Sequence, residues 1–132
     1  MRHKCDLAKH RIGMAKECLK AAKDSVESEN FKTAANRSYY CIFNAMRSVI
    51  ALEGKDFKSH KALAIHFRAN YIKNQLFGKE LSIILDELSY ARVASDYDDF
   101  YIIEKEDVVQ QIEKAEHFLN CIEEYVKQQI PN

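Results

Sequence analysis

The sequence predicts an all-α protein, an antiparallel up-and-down bundle of four to five helices. Apolar residues recur at steps of three and four through most of the 132 residues, which is the spacing of one helix face. Only three glycines and one proline are present, and that proline is Pro131 near the carboxyl end, so residues that form hairpins and sheet turns are scarce. No repeat, linker or shift in composition divides the chain, which predicts a single domain over residues 1–132.

The first two predicted helices run from about Lys4 to Glu27 and from Phe31 to Leu52. The second is apolar over much of its circumference and is therefore expected at the centre of the bundle. Asn30 is suited to cap the start of this helix, because its side chain can accept a hydrogen bond from a free backbone N–H. Gly54 is suited to the left-handed position just after its end.

Three further helices follow in the second half of the chain. Ser59 is predicted to cap a helix that continues to about Ile72, where its apolar pattern ends. A fourth helix begins near Leu81 and fades within residues 92–103. The fifth begins in the acidic turn at residues 104–107, where carboxylates favour a helix amino terminus, and continues to about Val126.

Charge and cysteine content exclude several classes of function. The chain has 20 basic and 20 acidic residues, so an anionic partner such as RNA must be held by a local patch. The four cysteines are scattered singly without a zinc-binding spacing, which predicts reduced thiols, no metal site and no cofactor.

The amino terminus is charged and no apolar run approaches the ~20 residues of a membrane span. These features predict a cytoplasmic protein without membrane contact.

Polar residues occupy positions in two helices where core residues are expected. Arg37, Tyr40 and Asn44 are related by steps of three and four and therefore share one face of the second helix. Arg92 continues an apolar stripe of the fourth helix with a step of four. Unpaired buried guanidinium groups are costly, so we expect both arginines to be matched, with the nearby Asp96 as a candidate partner.

Two interpretations of this pattern remain open at the level of sequence. In the first, the arginines form structural ion pairs with the carboxylates of residues 96–99 and fix how the helices pack. In the second, they line a cleft for a phosphate-bearing ligand, since arginine presents a planar fork that matches phosphate oxygens. His60, which follows the predicted cap Ser59, is a candidate acid, base or phosphate contact in such a cleft. The candidate ligand-binding residues are Arg37, Tyr40, Asn44, His60, Arg92, Asp96 and Tyr97.

The order of three motifs resembles the HEPN domain family, specifically its small prokaryotic branch associated with minimal nucleotidyltransferases. The motifs are "AANRSYYCIFNAMRSVIALEG", "KSHKALAIHF" and "ARVASDYDDF", followed by a last acidic helix. The resemblance covers about residues 7–126. It implies a helical bundle, often a homodimer, that binds RNA or nucleotides and is commonly encoded beside a nucleotidyltransferase in a toxin–antitoxin-like two-gene system.

Ribonucleases of this family carry an arginine, four to six residues, and then a histidine. None of the arginines in this chain has a histidine at that distance. Asn44 stands at the six-residue spacing after Arg37, and Tyr97 stands at the four-residue spacing after Arg92. Neither side chain transfers protons readily near neutral pH, so ribonuclease activity by the standard motif is not expected. The remaining catalytic candidates are Arg37, His60 and Arg92.

Three functional hypotheses follow. The chain is a nucleotide- or RNA-binding component of a two-gene system, or an atypical metal-independent ribonuclease in which His60 assists the arginines, or a non-catalytic dimerisation scaffold. For the scaffold, Tyr39, Phe43, Tyr71 and Phe77 are the expected dimer surface, because so many aromatic side chains exceed what a small bundle readily buries.

Overall fold

The computed structural model describes residues 2–131, and within that range it contains helices and no strand. The all-α helical bundle predicted from the sequence is therefore confirmed. A short π-helical turn, Arg68–Ile72, directly follows the third helix. The five α-helices are α1 (Arg2–Glu27), α2 (Phe31–Ala51), α3 (His60–Phe67), α4 (Glu80–Tyr97) and α5 (Lys105–Gln129).

Helix α2 lies at the centre of the bundle, as its apolar circumference predicted. Thirteen of its 21 residues are buried, and it contacts α1, α3, α4 and α5. The core around it contains side chains from all five helices, which exclude water from a large apolar area. The largest fully buried side chains include Ile42, Met46, Leu63, Phe67, Leu88, Phe118 and Ile122.

The helix ends follow the predicted local signals. Asn30 Oδ1 accepts a hydrogen bond from Thr33 N at 3.4 Å at the start of α2. Ser59 Oγ accepts one from Ala62 N at 3.0 Å at the start of α3. Gly54 has a φ of 76°, a left-handed conformation that glycine adopts without steric cost. These ends fix where α3 begins relative to α2.

The structure differs from the sequence prediction after Phe67. Instead of continuing as an α-helix to Ile72, the chain forms the π-helical turn, in which Lys73 N donates to Arg68 O at 2.9 Å. This turn places the Tyr71 hydroxyl 2.6 Å from Glu53 Oε2, to which it donates a hydrogen bond. The same carboxylate contacts His66 Nε2 at 2.9 Å.

Three of the four aromatic residues expected at a dimer surface are instead part of the core. Tyr39, Tyr71 and Phe77 are buried, and Phe43 is partly buried against the core. The expectation was wrong for the two tyrosines because their hydroxyls find polar partners within the fold, which permits their burial. It was wrong for Phe77 because this ring packs on the rings of Phe67 and Tyr125. Within residues 2–131 no helix is long and apolar enough to cross a membrane.

Replacing the α3 cap tests how firmly this helix is held. We expect Ser59→Ala to lower the free energy of unfolding by about 1 kcal/mol, because Ala62 N loses its hydrogen-bond acceptor. Urea denaturation followed by circular dichroism measures the difference. Lys58→Ala, one residue earlier and also exposed, is the control, and equal midpoints for the two variants would contradict the capping role.

Candidate functional site

The polar face of α2 meets α4 at a pair of arginine side chains. Arg37 Cζ lies 5.1 Å from the ring centroid of Tyr40, and Arg92 Cζ lies 5.8 Å from the same centroid. Arg92 Cζ is also 4.9 Å from the ring centroid of Tyr39. Aromatic rings attract cations placed over their faces, so two guanidinium groups from different helices converge on one tyrosine.

Carboxylates neutralise only part of this charge. Arg92 Nη1 lies 3.6 Å from Asp96 Oδ2. Within residues 2–131, Arg37 has no carboxylate oxygen within 4.0 Å, although the sequence predicted one. The Arg37 Nε and Nη2 groups donate instead to Asn36 Oδ1 at 3.0 and 2.7 Å. Asn36 Nδ2 in turn donates to Asp96 Oδ2 at 3.4 Å, so a neutral amide separates Arg37 from the only acid of the cluster.

His60 joins this cluster from the first position of α3. Its Nδ1 lies 2.7 Å from the Tyr39 hydroxyl, and its ring stacks on Phe43 with centroids 4.4 Å apart. Burial, and then the charge of Arg92, lower the pKa of His60 below its ordinary value. Burial raises the pKa of Tyr39 to about 12. The imidazole is therefore neutral near pH 7, and a phenol that keeps its proton can donate to Nδ1, which leaves the imidazole proton on Nε2.

The structure brings five of the seven candidate residues together: Arg37, Tyr40, His60, Arg92 and Asp96. Asn44 lies behind them, because it is 5% exposed and its Nδ2 donates to Tyr40 O at 2.9 Å and toward Cys18 Sγ at 3.8 Å. Tyr97 lies outside the cluster on the last turn of α4, where it is 76% exposed.

Two residues of the cluster, Asn36 and Tyr39, were not predicted from the sequence as residues of the site. Asn36 was detectable in principle, because it precedes Arg37 in a helix where amides are otherwise rare. Tyr39 appeared as one more apolar residue, and only its hydrogen bond to His60 identifies its role. A shallow cavity of about 330 Å³ opens beside the rings of Tyr39 and His60. Its lining residues include Lys61, Arg68 and Asp86.

A second arginine cluster lies along the same face of α2. Arg47 Nη2 and Arg11 Nη2 approach Asp56 Oδ2 at 3.0 and 3.3 Å, and Arg47 Cζ is 5.7 Å from the ring centroid of Phe43. The Arg11 side chain is 8% exposed, and burial lowers its pKa. The hydrogen bond from Arg47 lowers the pKa of Asp56. The cluster ties the segment before α3 to α1 and α2.

Five α-helices packed around α2 place this protein in the class of all-helical bundles. The HEPN domain family model matches residues 8–125. The chain is also 31% identical over 113 residues to a UPF0332 protein of Thermotoga maritima, and the match covers 86% of each chain. The chain belongs to the HEPN domain family. Its membership is compatible with an RNase-type or nucleotide-associated module.

The environment of His60 gives a prediction for its titration. We expect the imidazole of His60 to titrate below its ordinary pKa, because burial and Arg92 both disfavour the cation. The neutral imidazole of His60 then makes its full contribution to the free energy of unfolding above the unfolded-state pKa of about 6.5. This contribution decreases as the pH falls from about 6.5 through the lowered pKa of the folded state. Proton NMR of the ring measures the titration directly.

Arg92→Gln provides the matched comparison for that titration. Removing the cation should raise the pKa of His60 while burial still holds it below the ordinary value. A wild-type His60 that titrates at or above the ordinary value would contradict this account of the site.

The Arg11 cluster gives a separate prediction for stability. We expect Asp56→Asn to lower the free energy of unfolding by about 1–3 kcal/mol, because a buried guanidinium loses its carboxylate partner. The Arg11 Nη1 bond to Arg47 O at 3.2 Å remains, so the guanidinium loses only part of its hydrogen bonding. Urea denaturation checks the value, and Asp6→Asn, on the exposed face of α1, is the control.

Proposed function

We propose that this HEPN protein binds a phosphate-bearing ligand, RNA or a nucleotide, at the site formed by Arg37 and Arg92. The observation that carries the proposal is the convergence of both guanidinium groups on the Tyr40 ring with a single nearby carboxylate. A structural ion pair needs one carboxylate for each arginine. Here one positive charge is left without an acidic partner within residues 2–131, which favours an anion.

The hydrogen bonds of Arg37 suit an exchangeable ligand. Its Nε and Nη2 edge, which matches a phosphate or carboxylate, is occupied by the neutral oxygen of Asn36. An amide oxygen carries only a partial negative charge, whereas a phosphate oxygen adds the attraction between two full opposite charges. A phosphate that displaces the amide oxygen therefore gains interaction energy, whereas displacing a carboxylate would forfeit an existing ion pair. Tyr40 keeps the two arginines in place through contacts with both guanidinium groups.

The wider biological role in this proposal rests on the family alone. Membership of the HEPN family supports a role as one component of a nucleotidyltransferase-linked, toxin–antitoxin-like two-gene system. In that role the chain acts as a homodimer in the cytoplasm with a cognate minimal nucleotidyltransferase. An adjacent reading frame for such an enzyme, and a complex of the two purified proteins on gel filtration, are the expected findings. Their absence would reject this role without rejecting ligand binding.

Substitution of Arg37 tests the ligand site. We expect Arg37→Ala to weaken binding of a fluorescein-labelled single-stranded RNA by roughly tenfold to a hundredfold, because it removes hydrogen bonds to a charged group worth about 1.5–3 kcal/mol. Arg37→Lys should recover only part of the affinity, since lysine keeps the charge but lacks the fork. Fluorescence anisotropy measures how strongly each variant binds the labelled RNA. The same measurement with labelled ATP tests a nucleotide as the competing ligand.

The control is Lys20→Ala, which removes one positive charge from an exposed ion pair with Asp24 on α1. It should leave binding nearly unchanged. Thermal melting of every variant separates folding from binding. If wild type binds neither probe, and Arg37→Ala and Arg92→Ala only lower the melting temperature, the polar cluster is a structural scaffold and the proposal fails.

A second candidate function is an atypical ribonuclease in which His60 transfers the proton. The observation that favours it is the bond from Tyr39 to Nδ1, which orients the ring and leaves Nε2 without a hydrogen-bond partner within residues 2–131. We expect such an enzyme to cleave RNA in the presence of EDTA and to lose that activity in His60→Ala. Intact RNA with wild-type protein would eliminate this candidate and leave the binding function standing.

A further inference from the structure

The outward face of α4 exposes large apolar side chains. Ile83, Tyr90 and Tyr97 are seven residues apart, and Val93 lies within a quarter turn of them, so the four form one stripe about 21 Å long. Phe100 and Ile102 extend it into the segment before α5, and Phe100 is 92% exposed. The opposite face of α4 supplies Leu81, Leu85 and Leu88 to the core. Helix α4 is therefore apolar on two faces, and only one is covered.

The exposed area is large for a protein of this size. Three aromatic side chains of the stripe, each at least 70% exposed, present on the order of 400 Å² of apolar surface. The largest patch on a typical monomer covers roughly 300–600 Å² and is often functional. None of the candidate residues that converge on Tyr40 contributes to this area, so the stripe is a separate surface.

The charge around the stripe indicates what can cover it. Residues 90–107 contain two cationic side chains, Arg92 and Lys105, against six carboxylates, which gives a net charge of minus four in a chain whose total charge is zero. The helix dipole of α5 offsets part of the charge of Glu106 and Asp107. The six carboxylates are Asp96, Asp98, Asp99, Glu104, Glu106 and Asp107.

Carboxylates also border the earlier part of the stripe. Asp86 lies on one side, paired with Arg68 of the π-helical turn, and Glu87 lies on the other, paired with Lys114 of α5. Both carboxylates are already paired with cations of this chain, so the uncompensated negative charge lies at the carboxyl-terminal end of the apolar row, in residues 96–107. A partner that follows the row would place its own flanking side chains beside carboxylates.

We propose that this stripe is a docking surface for a basic amphipathic helix of another protein. The seven-residue spacing of Ile83, Tyr90 and Tyr97 suits a helix that packs at a shallow angle along α4. An apolar row flanked by lysine or arginine would complement the acidic carboxyl-terminal end of the stripe. Nucleic acid would be repelled by the same carboxylates. A second copy of this chain is the competing occupant, and light scattering distinguishes it from a basic helix.

The test uses the full chain and a defined probe. The probe is a labelled 21-residue helical peptide with leucine at heptad positions a and d and lysine at e and g, and its counterpart carries glutamate in place of lysine. We expect the lysine peptide to bind at about 0.15 M salt and the glutamate peptide to bind at least about tenfold more weakly. Fluorescence anisotropy measures both affinities.

Variants identify the surface that the peptide occupies. Tyr90→Ser combined with Tyr97→Ser should weaken binding of the lysine peptide about tenfold or more, because aromatic anchors dominate such interfaces. Leu76→Ser, in the turn before the other end of α4, removes a comparably exposed apolar side chain and should leave binding unchanged. Asp98→Asn combined with Asp99→Asn should weaken binding and reduce its dependence on salt.

Other outcomes would overturn the proposal. Equal binding of both peptides, or undiminished binding to the double tyrosine variant, rejects this face as the docking surface. A wild-type dimer that the tyrosine substitutions dissociate, as measured by light scattering, assigns the stripe to a second copy of the chain. Loss of RNA binding in the same variant assigns it to nucleic acid. Unchanged RNA binding together with lost peptide binding is the expected combination.

Discussion

The fold depends on the burial of α2 over most of its circumference. Four other helices contact it, so polar side chains on its covered faces are separated from water and gain from partners within the bundle or at a junction between helices. Arg37 and Tyr40 do so where α2 meets α4, and Asn44 does so by returning to the backbone of its own helix. The position of the candidate site is thus a consequence of packing an amphipathic helix at the centre of a small bundle.

In the cluster around Tyr40, the two guanidinium groups contact mainly neutral groups. Rings and an amide oxygen contact the guanidinium groups, and only Asp96 contributes a negative charge. A fully paired set of buried charges gains little from a new anion, because its electrostatic partners are already present. Contacts with neutral groups hold the arginines in position and leave their charge available. Burial, and then the positive charge of Arg92, lower the pKa of His60 and keep its imidazole neutral.

Local rules account for what could be predicted, and distant partners account for what could not. The ends of α2 and α3 were readable because Asn30 and Ser59 act on backbone groups three residues away. Helix periodicity predicted the helix face on which Arg37 and Arg92 each lie. It did not predict that the two side chains converge. The burial of Arg11 had no local signal, because its partner Asp56 is 45 residues away. Tyr39 and Tyr71 were misplaced for the same reason.

The π-helical turn at residues 68–72 links chain length to the shape of the core. It accommodates one residue more than an α-helical turn between the same two ends. A chain one residue shorter at this point would form a regular helix, and every later residue of the segment would rotate by about 100°. Tyr71 would then turn away from the Glu53 carboxylate, and its hydroxyl would lose the hydrogen bond that it makes there. Insertions and deletions in this turn are therefore constrained by hydrogen bonds made to a different part of the chain.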